Sequence, residues 1–120
     1  MISKTTTSVK VPEQLNKKII ESVIACGYSM RGKSKWIEEA IHHFIGMPDF
    51  IECVDFASEI EALDTTISVR LEKETVKKLD EAALEVRKVH PMMEAVRSNI
   101  IRAALFQYLI QQDRRNAETG

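Results

Sequence analysis

Two stretches of the chain alternate polar and apolar residues with a period of two. In the first, Thr6, Ser8 and Lys10 alternate with Val9 and Val11; in the second, Thr66, Ser68 and Arg70 alternate with Val69 and Leu71. Both are rich in β-branched residues, so the pattern predicts half-buried strands over Thr6 to Val11 and Thr66 to Leu71, with the valines and Leu71 on one face and the polar residues on the other. After each strand the period changes. Leu15, Ile19 and Val23 recur every four residues between Pro12 and Gly27, which predicts a helix opened by the proline and closed by the glycine. Val76, Leu79, Ala83 and Val86 form the matching stripe after the second strand, and that helix is expected to end near His90-Pro91. A second helix follows in each case, with stripes Ile37, Ile41, Phe44 and Ile101, Leu105, Tyr108, and with Ser34 and Ser98 expected as N-caps. Pro91 offers an alternative, earlier start for the later helix.

These elements belong to an internal repeat. Thr5-Thr6-Thr7-Ser8-Val9-Lys10-Val11 returns as Thr65-Thr66-Ile67-Ser68-Val69-Arg70-Leu71, and Lys17-Lys18 and Glu21 return as Lys77-Lys78 and Glu81. Beyond a four-residue insertion, Ser34 to Ile45 aligns with Ser98 to Leu109. A strand and two helices of this size bury too little apolar surface to fold alone, since chains below about 40 residues rarely do so unaided. Two copies can complete each other. Antiparallel pairing of the strands, with four helices below their apolar face, predicts a mostly α fold with one two-stranded antiparallel β-ribbon, a pseudo-symmetric dimer on one chain. The expected organisation is one compact domain: residues 1–45 form the first copy, 46–64 a connector packed on the core, 65–111 the second copy and 112–120 a polar tail.

The repeat resembles the ribbon-helix-helix (Arc/MetJ-type) DNA-binding family. The residues that carry the likeness are Ser8-Val9-Lys10-Val11-Pro12, Gly27 and Ser34-x-x-Ile37-x-x-Ala40-Ile41, and again Ser68-Val69-Arg70-Leu71 and Ser98-x-x-Ile101-x-x-Ala104-Leu105. The second copy departs from the pattern in its longer turn, Val89 to Arg97, which lacks the glycine. Two copies on one chain look like the TraY-type accessory proteins of plasmid conjugation, and Phe44-Ile45-Gly46-Met47-Pro48-Asp49-Phe50 is similar to that group. The resemblance implies sequence-specific binding of double-stranded DNA, as a transcriptional repressor or as a relaxosome accessory factor.

A two-stranded ribbon fits the major groove, where each base pair presents its own donors, acceptors and methyl groups. Lys10 and Arg70 can donate to guanine O6 and N7, while Thr6, Ser8, Thr66 and Ser68 offer short hydroxyls and, for threonine, a methyl group for thymine. In an antiparallel pair Thr-Ser-Lys runs opposite Arg-Ser-Thr. The plainer reading is the solvated face of an edge hairpin; the whole repeat favours the groove reading. Phosphates flanking a seated ribbon would meet the starts of the second helices, where Lys33, Ser34, Lys35, Arg97, Ser98 and Asn99 are the candidate contacts. Lys17, Lys18, Lys77 and Lys78 are weaker candidates, as charge pairs on helix faces usually serve solvation.

Charge is distributed unevenly along the chain. The chain of 120 residues has 17 Lys and Arg against 18 Asp and Glu, a balanced total. Residues 46–64 hold six of the acids and no base, so the remainder is a basic body of net +5. Phosphate repulsion would keep the connector off DNA. Phe50, Val54 and Phe56 suggest that it packs partly on the core, as a short helix opening at Pro48 and Asp49. The two cysteines, Cys26 and Cys53, are too few for a disulfide framework and are expected as buried thiols, which fits a cytoplasmic protein. No window of the sequence approaches the roughly 18 apolar residues of a membrane span.

A competing motif remains. Gly27-Tyr28-Ser29-Met30-Arg31-Gly32-Lys33-Ser34 matches the phosphate-loop pattern G-x-x-x-x-G-K-[ST]. A nucleotide site there would require a buried strand over Ile19 to Cys26 and several parallel strands, which a chain built as a repeat does not supply. His42, His43, His90 and the cysteines form no spaced metal set, and Met92, Met93 and Trp36 read as packing residues. The expectation is therefore a DNA-binding protein that is not an enzyme and has no cofactor. Its partners would be double-stranded DNA, a second copy of itself on adjacent sites and a protein at the acidic connector. An antitoxin-like or adaptor interaction module is the alternative, and a small P-loop NTPase comes after it.

Overall fold

The structure, a computed structural model, describes residues 4–27, 32–60 and 62–119, with side chains as far as Arg114. It is mostly helical with a single two-stranded antiparallel sheet. In chain order the elements are β1 (Lys4–Val11), α1 (Glu13–Ala25), α2 (Lys33–Ile45), α3 (Phe50–Ala57), β2 (Thr65–Glu72), α4 (Lys73–Val89) and α5 (Val96–Thr119).

The strands pair in the register Thr6 to Arg70, Ser8 to Ser68 and Lys10 to Thr66. Ser8 thus lies opposite its own counterpart in the repeat, and the pairing is symmetric about that point. Alternation does the rest: Val9, Val11, Ile67, Val69 and Leu71 are buried below the ribbon, while the polar set faces out. The two strands close one core with the helices, because their apolar face meets the stripes of α1, α2, α4 and α5. Trp36, Ile37, Ile41 and Phe44 of α2 are fully buried with Ile100, Ile101 and Leu105 of α5, and these two helices share the largest helix–helix contact.

The helices start where local geometry permits rather than where the serines stand. α2 begins at Lys33 after Gly32, and α5 begins at Val96, with the Asn99 N–H already bonded to the Ala95 carbonyl at 3.0 Å. Ser34 and Ser98 therefore lie inside the first turns and are not N-caps. The two connections between helices also differ. Gly27 closes α1 at φ +82°, the left-handed conformation that glycine adopts without steric cost, while the longer second turn places Ala95 at φ +52° just before α5. Pro91 lies in the turn and opens no helix.

Four further expectations need correction. α5 runs on to Thr119, so residues 112–119 continue the helix and are not a separate tail. Phe56 is 76% exposed although Phe50 and Val54 pack inward, because its place on α3 turns it away from the core. Cys26 is exposed, with its Sγ near the Gln112 amide oxygen, and Cys53 is half-buried. Met92 is 90% exposed and has no packing role. Among the described residues no helix is long and apolar enough to cross a membrane.

Candidate nucleic-acid interface

The outer face of the ribbon carries all six groove candidates. Thr6, Ser8, Lys10, Thr66, Ser68 and Arg70 are exposed, and the register sets them in three cross-strand rows: Thr6 with Arg70, Ser8 with Ser68, and Lys10 with Thr66. Each row places its side chains within about 5.5 Å of each other at the Cα atoms. The ridge from Thr6 to Lys10 is about 13 Å long, close to four base steps. A cation stands at each end on opposite strands, with two hydroxyls between. Beyond this span carboxylates enter. Glu72 faces Lys4 at one end, and at the other the Asp64 carboxylate accepts the Glu13 N–H at 3.0 Å. Carboxylates repel phosphate, so they bound the stretch of ribbon that suits DNA.

The ends of the ribbon are clamped from below by side chains that sequence patterns left unnoticed. Arg102 of α5 is 94% buried and donates through Nη1 to the Lys10 carbonyl at 2.9 Å and through Nη2 to Asn99 Oδ1. Burial pushes its guanidinium below its ordinary value, yet an arginine stays charged; among the described residues its Nε has no hydrogen-bond partner. At the equivalent position of α2, Glu38 accepts the Glu72 N–H at 3.3 Å and the Thr75 hydroxyl at 2.7 Å. Since the Thr75 proton goes to Glu38, the 2.9 Å contact between Thr75 Oγ1 and His42 Nε2 requires His42 to donate from Nε2. The available signal for this clamp was an arginine placed between Ile101 and Leu105 on a core-facing stripe.

The candidate phosphate contacts divide. Asn99 is removed from the set: it is 4% exposed, its amide donates to the Glu94 carbonyl at 3.1 Å, its Oδ1 accepts from Arg102 and its N–H is bonded to Ala95. Lys33 is half-buried and donates to Asn16 Oδ1 at 2.8 Å, and burial lowers the pKa of its ammonium from the usual lysine value. Arg97 is paired with Asp80 through both Nε and Nη2. Lys33 and Arg97 are therefore anchored to the first helix of their own copy, and their contact with phosphate would have to exchange or share those partners. Lys35 is exposed in the same turn as Lys33, and Ser34 and Ser98 are half-buried. The first N–H groups of α2 and α5 have no acceptor within their own helix, as at any helix start. Lys17 pairs with Glu13 and Lys78 with Glu74 at exposed i,i+4 positions, the solvating arrangement expected of them.

The phosphate-loop reading loses its premise. Residues 28–31 lie outside the described residues, but the segment before Gly27 is helix α1 where a buried strand would be needed, and the strands present are antiparallel. Among the described residues no group of His, Cys, Asp and Glu could hold a metal ion. Compared with family models, curated proteins and solved structures, the chain matches none.

Proposed function

We propose that the chain is an intramolecular pair of ribbon-helix-helix copies that binds double-stranded DNA, seating the ribbon Thr6 to Lys10 with Thr66 to Arg70 in the major groove. The role is that of a transcriptional regulator or of a relaxosome accessory protein of a plasmid or other mobile element. One observation carries the reading: a ribbon whose register is symmetric about Ser8 and Ser68 presents an exposed ridge of hydroxyls and cations, while Val9, Val11, Ile67, Val69 and Leu71 on its other face are buried. The groove is about 12 Å wide and accepts a two-stranded ribbon. Approximate symmetry suits a site of two related halves. Arg70 beside Thr6 at one end and Lys10 beside Thr66 at the other make those halves unequal, because arginine can pair with guanine through two parallel bonds and lysine acts as a point charge. Ser34, Ser98 and Lys35, with the N–H groups of the second-helix starts, would meet flanking phosphates.

Selection of binding sites from random duplex DNA tests this directly, with an imperfect inverted repeat as the expected outcome. Arg70→Ala should cost about 1–3 kcal/mol at one base step and relax the preference there, while Lys10→Ala does the same in the other half. Failure to enrich any sequence, or enrichment unaffected by both substitutions, would remove the proposal.

A further inference from the structure

The connector helix and the end of the core form an apolar groove that the DNA-binding reading does not use. Phe56, Cys53 and Ile60 on the α3 side face Phe106, Gln107 and Ile110 of α5 across an open cleft of about 380 Å³. Phe56 is 76% exposed and Ile110 46%, large apolar side chains that folding alone leaves in water. Phe106 and Ile110 lie one turn apart on α5 with Gln107 beside them, and on the other wall Cys53 and Phe56 lie one turn apart on α3, with Ile60 following just beyond its end. Two such walls form a trough that accepts a third helix by its i, i+3/i+4, i+7 face.

Charge selects the occupant. Glu52 lines the groove, residues 46–64 contain no Lys or Arg, and residues 103–112 of α5 contain no charged side chain at all. The field reaches the floor: the Cys53 thiol is pushed up by burial first and then by the nearby Asp49 and Glu52 carboxylates. A second copy of the chain would bring an equally acidic rim against this one, an unfavourable match. None of the residues assigned to DNA lines the groove, and neither strand contributes to it. We infer that the groove between α3 and α5 docks an amphipathic helix of a partner protein, with its apolar stripe on Phe56 and Ile110 and Lys or Arg residues flanking Glu52. The site is separate from the DNA-facing ridge and does not depend on it.

The test is to pan the full chain against a displayed library of short helical peptides with randomised faces, counter-screening against Ile110→Glu. Enriched peptides should carry an apolar i, i+3/i+4, i+7 stripe with flanking Lys or Arg. Ile110→Glu should weaken the best synthetic peptide about 30-fold or more, and Glu52→Lys should weaken it about two- to fivefold, more at low salt. Bound peptide should also slow alkylation of Cys53 and leave Cys26 unaffected. Both variants should keep the circular dichroism and thermal midpoint of the parent, so a folding defect would be seen separately. No enrichment, enrichment of acidic or neutral helices, or binding indifferent to Ile110→Glu overturns the inference. A self-association abolished by Ile110→Glu would assign the groove to a second copy and overturn it equally.

Discussion

Glu38 and Arg102 stand at equivalent positions of α2 and α5, and each reaches the strand of the other copy. Glu38 accepts the Glu72 N–H at the end of β2, while Arg102 donates to the Lys10 carbonyl near the end of β1. The inversion has a local cause. The counterpart of Glu72 is Pro12, which has no N–H to offer, so an acid beneath the first strand would find no donor there, whereas a carbonyl remains available to an arginine. Thr75 and its counterpart Leu15 differ in the same sense: both are buried, but only the threonine serves the polar clamp, between Glu38 and His42. The apolar positions of the two copies are nearly interchangeable, and the polar contacts beneath the ribbon are not. Packing asks only for volume and hydrophobicity, whereas a buried hydrogen bond must match donor to acceptor.

The largest effects lie in the core. Ile37→Ala and Ile101→Ala remove equivalent, fully buried side chains, and each should cost about 2–5 kcal/mol in urea unfolding. If the copies share one core, the two values should agree within about 1 kcal/mol. The clamps should separate next. Arg102→Ala leaves the Lys10 carbonyl and Asn99 Oδ1 without that donor and should cost about 2–4 kcal/mol. Glu38→Ala, at a half-exposed site, should cost about 1–2 kcal/mol and speed hydrogen exchange at the Glu72 amide.

The two turns give smaller effects of opposite sign. Gly27→Ala meets no neighbouring atom among the described residues but forces alanine to φ +82°, for a loss of about 1 kcal/mol. Ala95→Gly relieves the same kind of strain in the second turn and should raise the unfolding midpoint by a few tenths to about 1 kcal/mol equivalent. Equal losses at both turns would contradict this account.

The smallest effect lies at alkaline pH. Tyr108 replaces Phe44 of the first copy; its ring packs edge-on against Trp36 at 5.0 Å and its hydroxyl approaches the Glu39 carboxylate at 3.3 Å. Burial, then the Glu39 charge, holds its phenol above the ordinary value of 10.0. Above pH 10 the unfolded chain therefore ionises first and binds fewer protons than the folded one, so stability falls as pH rises towards the folded value. Lys33 works the other way. Its pKa is lowered by burial, so between that value and 10.5 the unfolded chain holds the extra proton and stability rises with pH. Tyr108→Phe should remove the downward contribution from a pH series of thermal midpoints.

The candidate interface was legible in the sequence to the extent that alternation controls it. Val9, Val11, Val69 and Leu71 had to share a face, which left Thr6, Ser8, Lys10, Thr66, Ser68 and Arg70 on the other, and the repeat supplied each strand with its partner. The helix starts were harder to read. Lys33, Arg97 and Asn99 look alike as polar residues near a helix N-terminus, but Asn16 and Asp80 lie 17 residues from the cations they engage and meet them only when helices pack, while Arg102 engages Asn99 from the next turn of α5. The exposed Phe56 shows the same limit, since apolar content in the connector did not disclose which side of α3 would meet α5.

Periodicity and repetition alone therefore determined the kind and order of the elements around the ribbon and the polarity of its two faces, though not their exact ends, because alternation and helical stripes are properties of a chain with its neighbours in sequence. Only the tertiary structure decided which polar residues became buried clamps, which cations were anchored and where apolar surface stayed open, because donors, acceptors and covering atoms must arrive together from distant segments before burial has a sign.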